Sequence, residues 1–149
     1  MMESDVEVVA ENLMSIYSQL CKTLSKPMRT KTSVTPGGLF VMGALKRNGI
    51  MSMTDIGRKL SIPKPHVTVV VDKLIDEGYV VRKSDPNDRR IVNIELTENG
   101  LKNFEEMKQV ISESLKCKLL TISEKELKVL FVSSQNIKDI LISVLSKGE

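Results

Sequence analysis

From Ser61 to Arg90 the chain reads S-I-P-K-P-H-V-T-V-V-V-D-K-L-I-D-E-G-Y-V-V-R-K-S-D-P-N-D-R-R. Val67, Val70, Val71, Leu74 and Ile75 fall at i, i+3, i+4, i+7 and i+8, which gathers them into one apolar helical stripe. Lys64, His66, Thr68, Val69, Asp72 and Lys73 are left on the opposite face. Pro63 and Pro65 fit only near the start of a helix, where a missing N–H loses no intrahelical bond. Gly78 suits the left-handed position that closes it. Tyr79 to Arg82 and Ile91 to Leu96 are strand formers, with Val92, Ile94 and Leu96 alternating. Ser84-Asp85-Pro86-Asn87-Asp88 is turn chemistry, and Arg82, Lys83, Arg89 and Arg90 ring the tip. The stretch predicts a helix over 63–77 followed by a charged β-wing.

Working outward, the N-terminal side supplies three more helices. Val9, Leu13, Ile16, Leu20 and Leu24 recur at helical spacing over 4–25, and Lys26 to Val34 breaks the pattern as a loop with three cations. Thr35-Pro36 is an N-cap followed by a first-turn proline, opening a helix that buries Leu39, Met42 and Leu45 and ends near Asn48-Gly49. Gly37 and Gly38 each cost roughly 1 kcal/mol of helix stability, so a loose start is expected there. Ser52-Met53-Thr54-Asp55 has the form of a capping box for a short helix carrying Ile56 and Leu60. That helix leads into the one at 63–77, which makes a helix-turn-helix.

Beyond the wing, Thr97 caps a long helix with Leu101, Phe104, Ile111, Leu115 and Leu119 in register. Ser123-Glu124-Lys125-Glu126 is a second capping box, opening a helix striped by Leu127, Leu130, Phe131, Ile137, Leu141 and Leu145. Three long apolar stripes exceed what a small winged core can cover. The simplest solution is a symmetric dimer in which they bury one another.

Length and composition narrow the function classes. At 149 residues the chain is one domain's worth, and a net charge of +3 leans basic. Three Phe, two Tyr and no Trp argue against a base-stacking single-strand binder. One histidine and two distant cysteines, Cys21 and Cys117, provide neither a catalytic constellation nor metal-ligand spacing, so no enzyme, metal or cofactor is expected. Neither a leader segment nor a membrane-length apolar run is read, and the expected setting is the reducing cytoplasm.

Asp85 to Arg90 (D-P-N-D-R-R), Val71 to Val80 (V-D-K-L-I-D-E-G-Y-V) before it and Leu96 to Gly100 (L-T-E-N-G) after it resemble, in this order and spacing, the MarR-type winged helix-turn-helix transcriptional regulators. The resemblance implies a mainly α fold with a small β-wing. It also implies a winged helix-turn-helix core over 35–97, flanked by dimerisation helices over 4–25 and 98–146 of one 149-residue domain. Function is then sequence-specific binding of duplex DNA by a homodimer on a pseudo-palindromic site, more often as a repressor.

The chemistry fits that reading. A major groove admits a helix and shows each base pair as a distinct donor–acceptor pattern. Lys64, Pro65, His66, Thr68, Val69 and Lys73 would face DNA, with His66 toward guanine, Val69 toward a thymine methyl and the lysines on phosphates. Relatives often carry arginine at the position of Val69, so base reading departs from the family there. By the same resemblance Arg90 enters the minor groove, held by Asp88 two residues before it. Arg82, Lys83 and Arg89 would contact phosphates, as would the helix starts at Ser52, Thr54 and Pro63 to His66.

Two further expectations come from the resemblance. Many such proteins are released by small anionic aromatic ligands, for which Met28, Arg29, Met42 and Met53 are the candidate lining. Some sense peroxides through a cysteine in the first helix, a role open to Cys21 with Tyr17 one turn back. The alternative from another class is a winged-helix protein–protein module that has lost DNA binding.

Overall fold

A computed structural model describes residues 2–145 of the chain. Six helices and three short strands follow in the order α1 (Met2–Lys31), α2 (Pro36–Asn48), β1 (Met51–Ser52), α3 (Met53–Leu60), α4 (Lys64–Asp76), β2 (Val80–Ser84), β3 (Val92–Leu96), α5 (Glu98–Leu119) and α6 (Glu124–Leu145). The chain forms two compact units, divided between Ser112 and Glu113. The first holds the helix-turn-helix and the wing; the second holds the end of α5 and α6.

Caps explain most helix starts. The Thr35 hydroxyl accepts the Gly38 N–H at 3.2 Å, which begins α2. Ser52 accepts the Asp55 N–H at 3.1 Å and donates its hydroxyl to the Asp55 carboxylate at 2.8 Å, a shortened capping box suited to the shorter acid. The full box opens α6: Glu126 accepts from the Ser123 N–H at 2.9 Å, and Ser123 accepts from the Glu126 N–H at 3.2 Å. Gly78, at φ 74°, takes the left-handed turn after α4.

The core lies among α2, α3, α4 and the sheet. Met42, Leu45, Ile56, Val67, Val71, Val80 and Ile94 are at most 2% exposed, each worth about 1.5–3 kcal/mol of burial. The sheet is antiparallel with strand order β1-β3-β2 and pairs Met51 with Ile94, Arg82 with Ile94 and Ser84 with Val92. Phe104 and Met107 of α5 are also buried.

Two sequence expectations need correction, and one strand was not foreseen. The supposed loop from Lys26 is helical to Lys31, so α1 runs through Pro27. The ring removes one ladder N–H, while the Ser25 hydroxyl donates to the Cys21 carbonyl at 2.6 Å and Met28 is buried just beyond. Strand β1 lay hidden because two residues carry no alternation, and only pairing with β3 defines it. The start of α2 is packed rather than loose. A Cβ at Gly38 would stand 3.1 Å from Val34 and 3.3 Å from Leu74, so the glycine lets helix and loop approach. The side chain of Leu145 and all of Ser146 lie outside the described residues.

Candidate nucleic-acid interface

Helix α4 divides as its periodicity demands. Val67, Val71 and Leu74 point into the core, while Lys64, Pro65, His66, Val69 and Lys73 are exposed on the far side. Thr68 is half-buried, and its hydroxyl donates to the Lys64 carbonyl at 3.2 Å, leaving only its acceptor lone pairs for a base edge. Val69 is 69% exposed, a large apolar cost on a free surface.

The wing is organised by Asp85, which sequence reading passed over as mere turn chemistry. Its carboxylate accepts the Asn87 N–H at 2.9 Å, the Asp88 N–H at 3.1 Å and the Asn93 side-chain amide at 3.1 Å. These bonds, that from Asn87 first and that from Asn93 next, hold the carboxyl below its ordinary range. Asp88 accepts the Arg90 N–H at 2.9 Å and lies 3.9 Å from Arg90 Nε. The Arg90 side chain itself is 95% exposed.

The four wing cations are therefore not equivalent. Arg82 is paired with Asp72 of α4, and Lys83 with Glu95 across the hairpin. Those two pairs hold strand to helix and strand to strand. Arg89 and Arg90 are exposed at the tip.

The structure also brings together residues from three elements around one cleft of about 490 Å³. Ser52 and Thr54 at the start of α3, Lys64 at the start of α4 and Arg90 on the wing all line it. Arg58, Ile91 and Val92 line it too, and sequence reading missed them. The signal for Arg58 was its i,i+3 spacing from Asp55, to which it is bonded at 3.2 Å. Of the candidate ligand residues, Met53 lines this cleft, Met42 sits in the core, Met28 is buried at the end of α1 and Arg29 is exposed. Cys21 is half-buried beside Tyr17. The Tyr17 phenol is held above its usual range, chiefly by its hydrogen bond with Cys21 and then by electrostatic repulsion from the same side chain.

An exposed, cation-bearing helix set after a capped short helix, with an ordered arginine-tipped hairpin beside it, defines a winged helix-turn-helix protein. A model of the MarR family matches residues 34–92. The chain is 28% identical over 104 residues to the HTH-type transcriptional repressor MdtR of Bacillus subtilis, covering 70% of this chain and 64% of MdtR. It is 32% identical to the uncharacterized HTH-type transcriptional regulator YcgE of the same organism, covering 69% of this chain and 67% of YcgE. The chain thus spans just under two thirds of MdtR's length and about two thirds of YcgE's. The fold matches that of the transcriptional regulator BldR from Sulfolobus solfataricus with a TM-score of 0.77, at 22% identity over 99% of both chains. The chain belongs to the MarR family and is a DNA-binding transcriptional regulator. No helix among the described residues is long and apolar enough to cross a membrane.

Proposed function

We propose that the chain acts in the cytoplasm as a homodimeric repressor, with residues 35–97 reading a pseudo-palindromic duplex and the helices over 4–25 and 98–146 joining two copies. The carrying observation is uncovered apolar surface: Val9, Ile16 and Leu20 on α1 and Leu130, Phe131 and Ile137 on α6 are all exposed, and none of the described α6 side chains is buried. Such stripes favour a second copy of the same chain. The sign of regulation rests on similarity to MdtR, a protein described as a repressor. In this reading α4 enters the major groove through Lys64, Pro65, His66, Thr68, Val69 and Lys73. Arg90, set by Asp88, enters the adjacent minor groove, and Arg89 rests on phosphate. A small anionic aromatic ligand is the releasing signal.

The test is selection of retained sequences from random duplex DNA at two salt concentrations. A palindrome with half-sites about 10 base pairs apart, weakening steeply with salt, is expected. Retention without a motif, or a monomer in sedimentation, would overturn it. The Tyr17–Cys21 contact favours a second reading, release by thiol oxidation. An organic hydroperoxide that leaves both Cys21 and DNA affinity unchanged would sink that version.

A further inference from the structure

We infer that the cleft between α3, the start of α4 and the wing is the channel for one strand's deoxyribose–phosphate backbone, with Arg58 as a phosphate ligand. The inference rests on the DNA-binding reading and extends it to residues which that reading did not use. A helix in the major groove and a wing in the neighbouring minor groove have a single sugar–phosphate strand between them. Whatever lines the space between the two elements faces that strand.

The lining suits both halves of a nucleotide backbone. Arg58 and Lys64 bring cations from two helices to the cleft, the complement of phosphate, and Arg90 borders it on the side of the minor groove that it is proposed to enter. Met53, Ile91 and Val92 form its apolar wall, the complement of the carbon face of deoxyribose. Two carboxylates also line it, and both are engaged. Asp85 accepts three hydrogen bonds from the wing, and Asp55 accepts from the Ser52 hydroxyl and from Arg58.

Arg58 differs from Arg82 in what remains to it. Among the described residues, only Asp55 engages the Arg58 guanidinium, through Nη1 at 3.2 Å, and the side chain stays 75% exposed. A guanidinium has five N–H donors, so one contact leaves most of them for a ligand. Asp55 orients the fork and at the same time opposes an incoming phosphate by charge. The two residues therefore act in opposite directions on DNA affinity, which a merely structural role in α3 does not produce.

The experiment measures affinity of the full chain against salt on one duplex that the wild type binds, for Arg58→Gln, Asp55→Asn and Ile91→Asn, each checked for an unchanged melting curve. Arg58→Gln should bind about tenfold more weakly on every sequence, and its log–log salt slope should fall by about 0.9 per half-site, about 1.8 for a dimer. Asp55→Asn, which keeps the shape of the cap, should bind about threefold more tightly. Ile91→Asn should lose affinity with the slope unchanged. An Arg58→Gln variant with wild-type affinity and slope, or an Asp55→Asn variant that binds more weakly, would overturn the assignment alone. A wild type that binds no duplex at any salt would instead sink the DNA-binding reading, and this inference with it.

Discussion

Replacing Gly100 by alanine tests why the L-T-E-N-G segment has its form. A Cβ there would stand 2.0 Å from the Tyr79 carbonyl oxygen and 2.9 Å from Leu96 Cδ1. Packed heavy atoms sit at about 3.5–4.0 Å, so the first turn of α5 must retreat by roughly 1 Å or more. That turn is held by Thr97, whose hydroxyl accepts the Gly100 N–H at 2.9 Å and lies 2.8 Å from the Gly78 carbonyl. The retreat therefore opens the cap, about 1 kcal/mol, and adds the strain of overpacking, about 1–3 kcal/mol. A total of about 3 kcal/mol is a large part of a domain's stability and corresponds to a melting point lowered by about 6–12 °C. Thermal unfolding followed by circular dichroism reads this directly. Gly37→Ala is the control, because its Cβ would meet Val70 at 3.7 Å and Thr35 Oγ1 at 3.9 Å, ordinary contacts, and should stabilise by about 0.4–1 kcal/mol. Gly100→Ala melting within about 2 °C of wild type would refute the close-approach argument.

Arg90→Ala should weaken duplex binding about tenfold, and Asp88→Ala by less, since it removes the bond to the Arg90 N–H and the guanidinium's partner but keeps the cation; equal affinity of all three proteins in a fluorescence titration would remove the wing from the interface. Asp72→Ala and Arg82→Ala should each cost up to about 1 kcal/mol of stability, because the pair is half exposed, and the exchange of the two residues should restore it. Additive losses in that double-mutant cycle would show that the pair does not join α4 to the wing. For Asp85, a lowered native value means that its support of the turn is complete above the ordinary value of 3.8 and disappears as pH falls through the native one. The amide shifts of Asn87 and Asp88 should accordingly titrate with a midpoint below 3.8, and a midpoint at or above it would contradict the hydrogen-bonded turn.

Elements carried by local rules were legible in the sequence. The stripe of Val67, Val71 and Leu74, the caps at Thr35, Ser52, Thr97 and Ser123, and Gly78 after α4 each act within a few residues, so spacing alone reveals them. What escaped was non-local. Strand β1 exists because Met51 finds Ile94, forty-three positions away, and Pro27 stays helical because Met28 is held by burial that spacing does not encode. Gly38 reads as a weak helix start until Leu74 and Val34 are placed beside it.

The candidate site divides along the same line. A run of positive residues shows how much charge a hairpin carries, but not which charges are already engaged. Tertiary neighbours decide that: Lys83, opposite Asn93 in the register, reaches diagonally to Glu95, and Arg82 reaches Asp72 of the preceding helix. The Arg82–Asp72 pair then holds the wing to the body and the Lys83–Glu95 pair closes the hairpin, while Arg90 at the tip keeps its side chain 95% exposed. The helix and the wing thus present their side chains from a single cross-braced unit. In the proposed binding mode, Lys64 and Arg90 meet the strand between two grooves from elements that the Arg82–Asp72 pair already joins.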